Sequence, residues 1–157
     1  MMELLASLEA SALSVWIKES ATIWSYPTIL TLHTVGLALL VGANWAFALR
    51  VLGFADAIPL QTLRWTFTWM WIGFWINFAS GVLLFMADAT TKGATRLFLT
   101  KIGLVVCGVV IVVMTRRSVF GAGDRPPVVG PGARGLAAAS LVTWVAAIVA
   151  GRWMAYI

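Results

Sequence analysis

The chain has 157 residues, of which 61% are hydrophobic and only 11% are charged, and its formal net charge is +5. A soluble domain has about a quarter of its residues charged, so this composition excludes an ordinary soluble protein and indicates a membrane protein. The length leaves room for a single membrane domain over residues 1–157. Because the basic residues are scattered over helix ends and loops, we expect no nucleic-acid partner and favour contacts with membrane lipids.

The N-terminal segment, about residues 2–18, is predicted to form a short amphipathic helix. Leu4, Leu8 and Val15 recur at helical spacing, and Glu9 lies on another face. Such a helix either lies along the membrane interface or caps the bundle, and the sequence leaves both alternatives open. The segment has no basic region before an apolar core, so we expect no cleavable signal peptide.

Four stretches without a charged side chain predict four membrane-spanning helices. A spanning helix needs roughly 20 apolar residues, and within a bilayer only helices or closed barrels satisfy the backbone. The third and fourth stretches are shorter than this, so we expect Lys101 and Arg152 to be drawn into their helix ends. The predicted fold is all-α, a transmembrane four-helix up-and-down bundle with the short N-terminal amphipathic helix. Its membrane helices cover about residues 27–52, 63–86, 97–116 and 136–156.

Small residues at four-residue spacing predict where helices approach closely, either within the bundle or in an oligomer. Three such lines are Ala38, Gly42 and Ala46; Gly73, Asn77 and Gly81; and Ala139, Thr143, Ala147 and Gly151. Asn44 and Asn77 are buried amides that we expect to join helices. The segment GAGDRPPVVGPGARG, residues 121–135, predicts a flexible loop between the last two membrane helices.

The basic residues carry only a weak signal about topology. Five lie on the side of the termini and six, including Arg125, on the other side, and the balance becomes three to six if Lys101 and Arg152 are embedded for other reasons. By the positive-inside rule, we expect both termini to lie outside the cytoplasm.

A layer of polar residues near the terminal side is the strongest functional lead. His33, the only histidine, lies about 9 Å past Pro27 along the first membrane helix. Lys101 and Arg152 fall at a similar depth in an up-and-down bundle. An ionisable residue inside the membrane is a functional-site hypothesis, and here the candidate is a basic pocket with one imidazole.

Two chemistries need this combination. A b-type haem needs an axial imidazole and cations for its propionates, which His33, Lys101 and Arg152 offer. The second axial ligand would be a methionine, the histidine of a second subunit, or nothing. The methionines considered are Met70, Met86, Met114 and Met154, of which Met86 and Met154 lie at the better heights. The other chemistry is binding of an anion, a lipid head group or a quinone carbonyl.

The plainer alternative is that His33 packs between helices and that the two cations extend to lipid phosphates. Cys107 is alone in the third helix, where we expect a buried inert thiol, and its depth differs from that of His33, which argues against a zinc site. The aromatic run between Trp65 and Phe78 suits packing better than a pocket for a flat ligand. No motif of a hydrolase or nucleotide enzyme is present.

Several motifs, in this order, resemble an uncharacterised family of small bacterial four-helix membrane proteins. They are WSYPTILTLHTVGLALLVG, LRVLG, IGFWINFASGVLLF, LFLTKIGL and GRWMAY, between about residues 19 and 156. The resemblance implies recurrent positions at Tyr26, Pro27, His33, Gly36, Arg50, Gly53, Gly81, Lys101, Gly151 and Arg152. It implies no established activity, and this chain departs from it at Ala48, where the family often has an aspartate.

We therefore expect a multi-pass protein of the bacterial inner (cytoplasmic) membrane that is a homo-oligomer or a subunit of a membrane complex. The first hypothesis is an electron-transfer or membrane-anchor subunit that binds haem b and is not an enzyme by itself. One alternative is an oligomeric small-solute channel or transporter. The other is a structural subunit of a larger membrane complex.

Overall fold

The computed structural model describes residues 2–93, 95–121, 126–154 and 156, and within these residues it contains helices and no strand. The predicted all-α class is confirmed. The helices are α1 (Met2–Glu9), α2 (Ala12–Glu19), α3 (Tyr26–Leu52), α4 (Thr66–Ala87), α5 (Ala89–Gly93), α6 (Arg96–Phe120) and α7 (Pro131–Trp153), with a 3₁₀ helix at Leu60–Trp65 before α4.

Four of these helices are long and apolar enough to cross a membrane: α3, α4 with its preceding 3₁₀ helix, α6 and α7. Their most apolar windows have mean hydropathies of 1.6 to 2.6. Pro27 occupies the first turn of α3, where the backbone N–H that proline lacks would have no partner within the helix. Gly53 ends that helix at φ 103°, a left-handed conformation that favours glycine. The chain is therefore a multi-pass membrane protein built as a helical bundle.

Successive membrane helices run antiparallel, as an up-and-down bundle requires. α3 packs mainly on α4, α6 packs mainly on α7, and α3 also contacts α7. The contacts that set the register are Gly36 with Asn77, Leu40 with Gly73, Gly108 with Trp144 and Lys101 with Gly151. The bundle thus consists of two tightly packed hairpins, α3–α4 and α6–α7, which pack against each other mainly through α3 and α7. The contact between α4 and α6 is smaller than that between α3 and α7.

The α3–α4 hairpin is closed by a glycine on each helix. A β-carbon added to Gly36 would lie 2.6 Å from the backbone nitrogen of Asn77, and one added to Gly73 would lie 2.6 Å from that of Leu40. Atoms cannot approach so closely, so only glycine allows this backbone contact. The predicted line of small residues on α4 therefore packs against α3.

The predicted line on α3 does not pack within the chain. Ala38 and Ala46 are exposed, and a β-carbon added to Gly42 would meet nothing within 4 Å. On α7 the predicted line is right at Ala147, which is buried, and at Gly151, which contacts Lys101, but Ala139 is exposed. The buried face of α7 consists of small residues with one tryptophan: Ala133, Ala137, Ser140, Trp144, Ala147 and Ala150. Cys107, expected to be buried, is exposed on α6. Its neighbour Gly108 faces the bundle instead, because Trp144 lies against it.

Several boundaries differ from the predicted ones: α6 continues to Phe120, four residues past the predicted end, and α7 is Pro131–Trp153 instead of about 136–156. α7 begins at Pro131, five residues before the predicted start, because proline is accepted in a first helical turn. The predicted loop over residues 121–135 is correspondingly shorter, and its residues 122–125, which include Arg125, lie outside the described residues. The N-terminal helix is divided in two, because the Ser11 hydroxyl accepts a hydrogen bond from the Ser14 backbone and caps α2.

α1 and α2 cap the terminal end of the bundle. Ile17 of α2 is 0% exposed and packs with Ile29 and Ala87, which decides in favour of docking over a free interfacial helix. The outer faces of both helices still present large apolar side chains such as Leu4 and Trp16, as an interface position requires.

A cluster of charges ties this cap to the end of α4 and to α5. The Glu9 carboxylate accepts hydrogen bonds from the hydroxyl and the backbone N–H of Thr90 and forms an ion pair with Lys18. Lys18 also pairs with Asp88, at 3.3 Å, and Asp88 pairs with Lys92. The donors of Thr90, followed by Lys18, lower the pKa of Glu9 from 4.5 to about 2. The same carboxylates, Glu9 before Asp88, raise the pKa of Lys18.

Replacing Gly36 by alanine should destabilise the bundle by about 1–3 kcal/mol, because the added methyl group overpacks the α3–α4 contact. Gly42→Ala on the same helix is the matched control, since its β-carbon meets no neighbour. The measurement is the free energy of unfolding in detergent mixtures. Equal stability of the two variants would contradict the close crossing.

The cap should be held by the Glu9 carboxylate above about pH 4.5 and released as the pH falls toward about 2, the lowered pKa of this group. The sign follows because a carboxylate with a lowered pKa stabilises the folded state only while it is ionised. Thr90→Val should raise the pKa of Glu9, measured by NMR of a carboxyl-labelled glutamate. Thr91→Val, on the neighbouring residue, is the control, and a Glu9 pKa near 4.5 in the wild-type protein would refute the cluster.

Candidate functional site

His33 lies between α3 and α4, one turn from the crossing of the two helices. Its Nδ1 atom is 3.0 Å from the backbone oxygen of Asn77 and 3.2 Å from the hydroxyl oxygen of Ser80. A carbonyl oxygen only accepts, so Nδ1 carries the ring proton and donates it to Asn77. The Ser80 hydroxyl in turn donates to the backbone oxygen of Ile76, at 2.6 Å. In the neutral ring, Nε2 therefore holds the lone pair.

Two residues of α4 fix the position of this ring. The side-chain amide of Asn77 donates to the backbone oxygen of His33, at 2.8 Å, and so links the two helices. A β-carbon on Gly81 would lie 3.1 Å from Cε1 of His33, so the glycine makes room for the imidazole. The sequence NFASG, residues 77–81, thus supplies three features of the site in about one turn of helix. Asn77 provides the carbonyl that accepts the ring proton and the amide that links the helices, and Gly81 leaves space for the imidazole.

Lys101 faces the interior of the bundle from α6. It lies on the same face of that helix as the buried Gly108 and Val112. Its alkyl chain rests on Gly151 of α7, with Cε 3.4 Å from the place that a β-carbon of the glycine would take. The glycine of the GRWMAY motif therefore provides the surface over which the lysine enters the bundle.

Arg152 is exposed and turns away from this layer toward the C-terminus. Its Nη2 donates to the Tyr156 hydroxyl at 3.4 Å, and its guanidinium carbon lies 6.0 Å from the centre of the Tyr156 ring. The hydrogen bonds of His33 within the described residues all go to α4. The structure thus joins His33 to Asn77 and Ser80, and Lys101 to α7, and shows no polar contact between the two groups.

The candidate methionines lie at different depths. Met86 is half-buried in the last turn of α4, six residues and so about 9 Å beyond Ser80, and Met154 is half-buried at the C-terminal end of α7. Met70 is buried in the core of the opposite half, and Met114 is exposed on α6. The two methionines preferred from the sequence therefore remain the ones on the terminal side.

A metal at this layer would have a single imidazole, since the described residues contain no group of three or more His, Cys, Asp or Glu side chains that could hold an ion. Histidines that bind metals donate their other ring N–H to a carbonyl or a carboxylate, which fixes the ring. The Nδ1–H of His33 is held in this way by Asn77. The chemistry of this donor would therefore suit a haem with Nε2 as its protein ligand, and Lys101 would be the cation facing it from inside the bundle.

Sequence analysis missed Ser80, although its position one residue before Gly81 could have indicated it. It also left the partner of Asn44 unidentified. The Asn44 amide and the Ser140 hydroxyl form two buried hydrogen bonds, of 2.9 and 3.2 Å, which join α3 to α7. Both asparagines join helices, as expected.

Comparison of the chain with protein families, with curated proteins and with solved structures finds no match in any of the three. The resemblance to a family of small bacterial membrane proteins therefore stays a prediction, and the function has to be argued from the residues.

We expect NMR of ¹⁵N-labelled histidine to show the proton on Nδ1 in the wild-type protein, which gives a single ring signal pair because His33 is the only histidine. Ser80→Ala should leave this tautomer unchanged, because the Asn77 carbonyl remains. Asn77→Leu keeps that carbonyl but removes the amide, and should reduce stability by about 1 kcal/mol, the usual size of an interhelical hydrogen bond. A proton found on Nε2 would contradict the arrangement.

Proposed function

We propose that the protein is a subunit of the bacterial inner membrane that binds haem b through Nε2 of His33 and serves in electron transfer or as a membrane anchor. The observation that carries this proposal is the hydrogen bond from Nδ1 of His33 to the Asn77 backbone oxygen, which leaves the Nε2 lone pair for a ligand. When bound, haem b supplies a one-electron redox centre.

The two ring nitrogens of His33 differ in a way that packing alone does not require. A histidine that only joined helices would be most stable with both nitrogens well bonded, because unsatisfied polar groups are costly in a membrane. Nδ1 has a 3.0 Å bond, whereas Nε2 has a contact of 3.4 Å to the Asn77 amide nitrogen, which lies at the same distance from Nδ1. Among the described residues Nε2 thus has no strong hydrogen-bond partner.

Lys101 and Arg152 are the cations that we assign to the propionates. Lys101 already faces inward, whereas Arg152 is exposed and would have to turn from Tyr156 to reach the same ligand. Met86 and Met154 are the candidates for the second axial position, and the histidine of a second subunit is the other. The second choice would make the protein a homo-oligomer, and the electron-transfer role would make it part of a membrane complex.

The test is an absorption spectrum of the detergent-purified protein, oxidised and then reduced with dithionite, after expression with haem supplied. We expect a Soret band and reduced α and β bands that His33→Ala abolishes and that Ser80→Ala, the neighbouring control, retains. Lys101→Met should weaken haem retention. Met86→Leu and Met154→Leu would show by a shifted reduced spectrum whether either sulfur is a ligand.

A colourless but folded wild-type protein would overturn the haem proposal. So would a Soret band that survives in His33→Ala. The alternatives would then be tested by solute flux into liposomes, for an oligomeric channel or transporter, and by co-purification, for a structural subunit of a larger complex.

A further inference from the structure

A second site lies in the opposite half of the membrane, in a cleft between α4 and α6. The cleft between them has a volume of about 590 Å³ and opens beside the first turns of α4 and the last turns of α6. Pockets of a few hundred Å³ or more are typical of small-molecule and cofactor sites. This cleft shares no residue with the layer around His33.

The outer end of the cleft is basic. Arg116 and Arg117 line it from α6, and Arg64 lines it from the 3₁₀ helix before α4. No carboxylate of the described residues forms an ion pair with any of the three. Three cations therefore converge on one opening, which favours an anionic ligand.

Two of these arginines are positioned by aromatic rings. The guanidinium carbon of Arg64 lies 4.9 Å from the centre of the Phe120 ring, and that of Arg116 lies 5.2 Å from the centre of the Phe67 ring. The two rings pack edge to face at 6.0 Å. A cation–π contact holds a guanidinium in place without a carboxylate partner, and its N–H groups can then donate to a phosphate.

The inner end of the cleft is apolar. Trp71 and Val112 border both the cleft and a narrow cavity of about 20 Å³ that continues toward Trp144. Trp144 borders this cavity, and its indole ring packs on Gly108 of α6. The site is therefore amphiphilic, with guanidinium groups at its mouth and hydrocarbon-like walls within.

The depth of the cleft matches that of lipid head groups. Its arginines stand at the ends of membrane helices, and the exposed Trp65 and Trp69 mark the same level. A phospholipid at this level presents its phosphate to the helix ends and its acyl chains to the apolar walls. A choline head group would add a cation beside three guanidinium groups, which disfavours a zwitterionic lipid.

We infer that the α4–α6 cleft binds one anionic phospholipid, with its phosphate at Arg64, Arg116 and Arg117 and an acyl chain along Trp71 and Val112. The guanidinium groups recognise the charge, and the apolar walls distinguish a lipid from a free phosphate ester. This inference does not rest on the proposed haem site.

Native mass spectrometry of the detergent-purified protein tests this inference with three probes: dioleoylphosphatidylglycerol, dioleoylphosphatidylcholine and glycerol 1-phosphate. We expect the phosphatidylglycerol to bind with clearly higher affinity than the other two probes. The double variant Arg116→Gln/Arg117→Gln should bind it about thirtyfold more weakly, at about fivefold for each basic residue near a lipid surface. Arg134→Gln, on α7 and outside the cleft, is the control for loss of charge on the same side and should change little.

Val113→Trp keeps every charge but fills the cleft from α6, and should also weaken phosphatidylglycerol binding. This variant supports the inference independently if the double variant fails to fold. Equal binding of the two lipids to the wild-type protein would overturn the inference. An effect of Arg134→Gln as large as that of the double variant would do the same, because the preference would then follow net charge. Glycerol 1-phosphate binding as tightly as the lipid would exclude a lipid site.

Discussion

The backbone contact between α3 and α4 at Gly36 and Gly73 is the constraint on which the rest of the structure depends. In lipid the hydrophobic effect does not pull helices together, so close packing and interhelical hydrogen bonds have to hold them. With no side chain between the two backbones, the helices lie near enough for the Asn77 amide to reach the His33 backbone oxygen. A wider crossing would break that bond and the bond from the imidazole, so the glycines determine the geometry of the candidate site.

The second hairpin is built differently, and this difference opens the cleft. α6 meets α7 where the large Trp144 ring lies on Gly108, and the buried hydrogen bonds of Asn44 with Ser140 join the two hairpins through α3 and α7, within a shared apolar core. α4 and α6 belong to different hairpins and have no comparable glycine contact. They meet through rings instead, at Phe85 with Phe98 near one end and at Phe67 with Phe120 near the other.

The sequence was sufficient to predict the class of fold and the location of its four membrane helices. Long charge-free segments without turn residues cross a bilayer as helices, because a helix satisfies all the backbone hydrogen bonds within the segment. It also identified His33 and Asn77, since a polar residue stands out in an apolar helix. It did not identify which small residues pack: Gly42 and Gly36 look alike in the sequence, and only the rotation of α3 distinguishes them. Ser80 was missed because its role depends on a residue 47 positions away, at 3.2 Å.

The arginine cleft could not be predicted for a related reason. Arg64 and Arg116 are distant in the chain, and in the sequence each is an ordinary basic residue at a helix end. Their convergence depends on Phe67 and Phe120, which hold one guanidinium from each helix over a ring of the other. A residue that serves as a topology signal in the sequence thus acquires a second role only when two helix ends are brought together.

The basic side chains at the two ends of the bundle lie in different environments. This difference bears on the predicted orientation of the protein in the membrane. Lys101 extends over Gly151 into the bundle, so it is placed by packing and carries little information about topology. Arg64, Arg116 and Arg117 are exposed at the opposite interface, where basic residues contribute most to the positive-inside rule. Without Lys101 the count of basic residues shifts toward the loop side, the direction of our sequence-based prediction that the termini lie outside the cytoplasm, which stays a prediction. In that orientation the cleft faces the cytoplasmic leaflet, whose anionic lipids would supply its ligand.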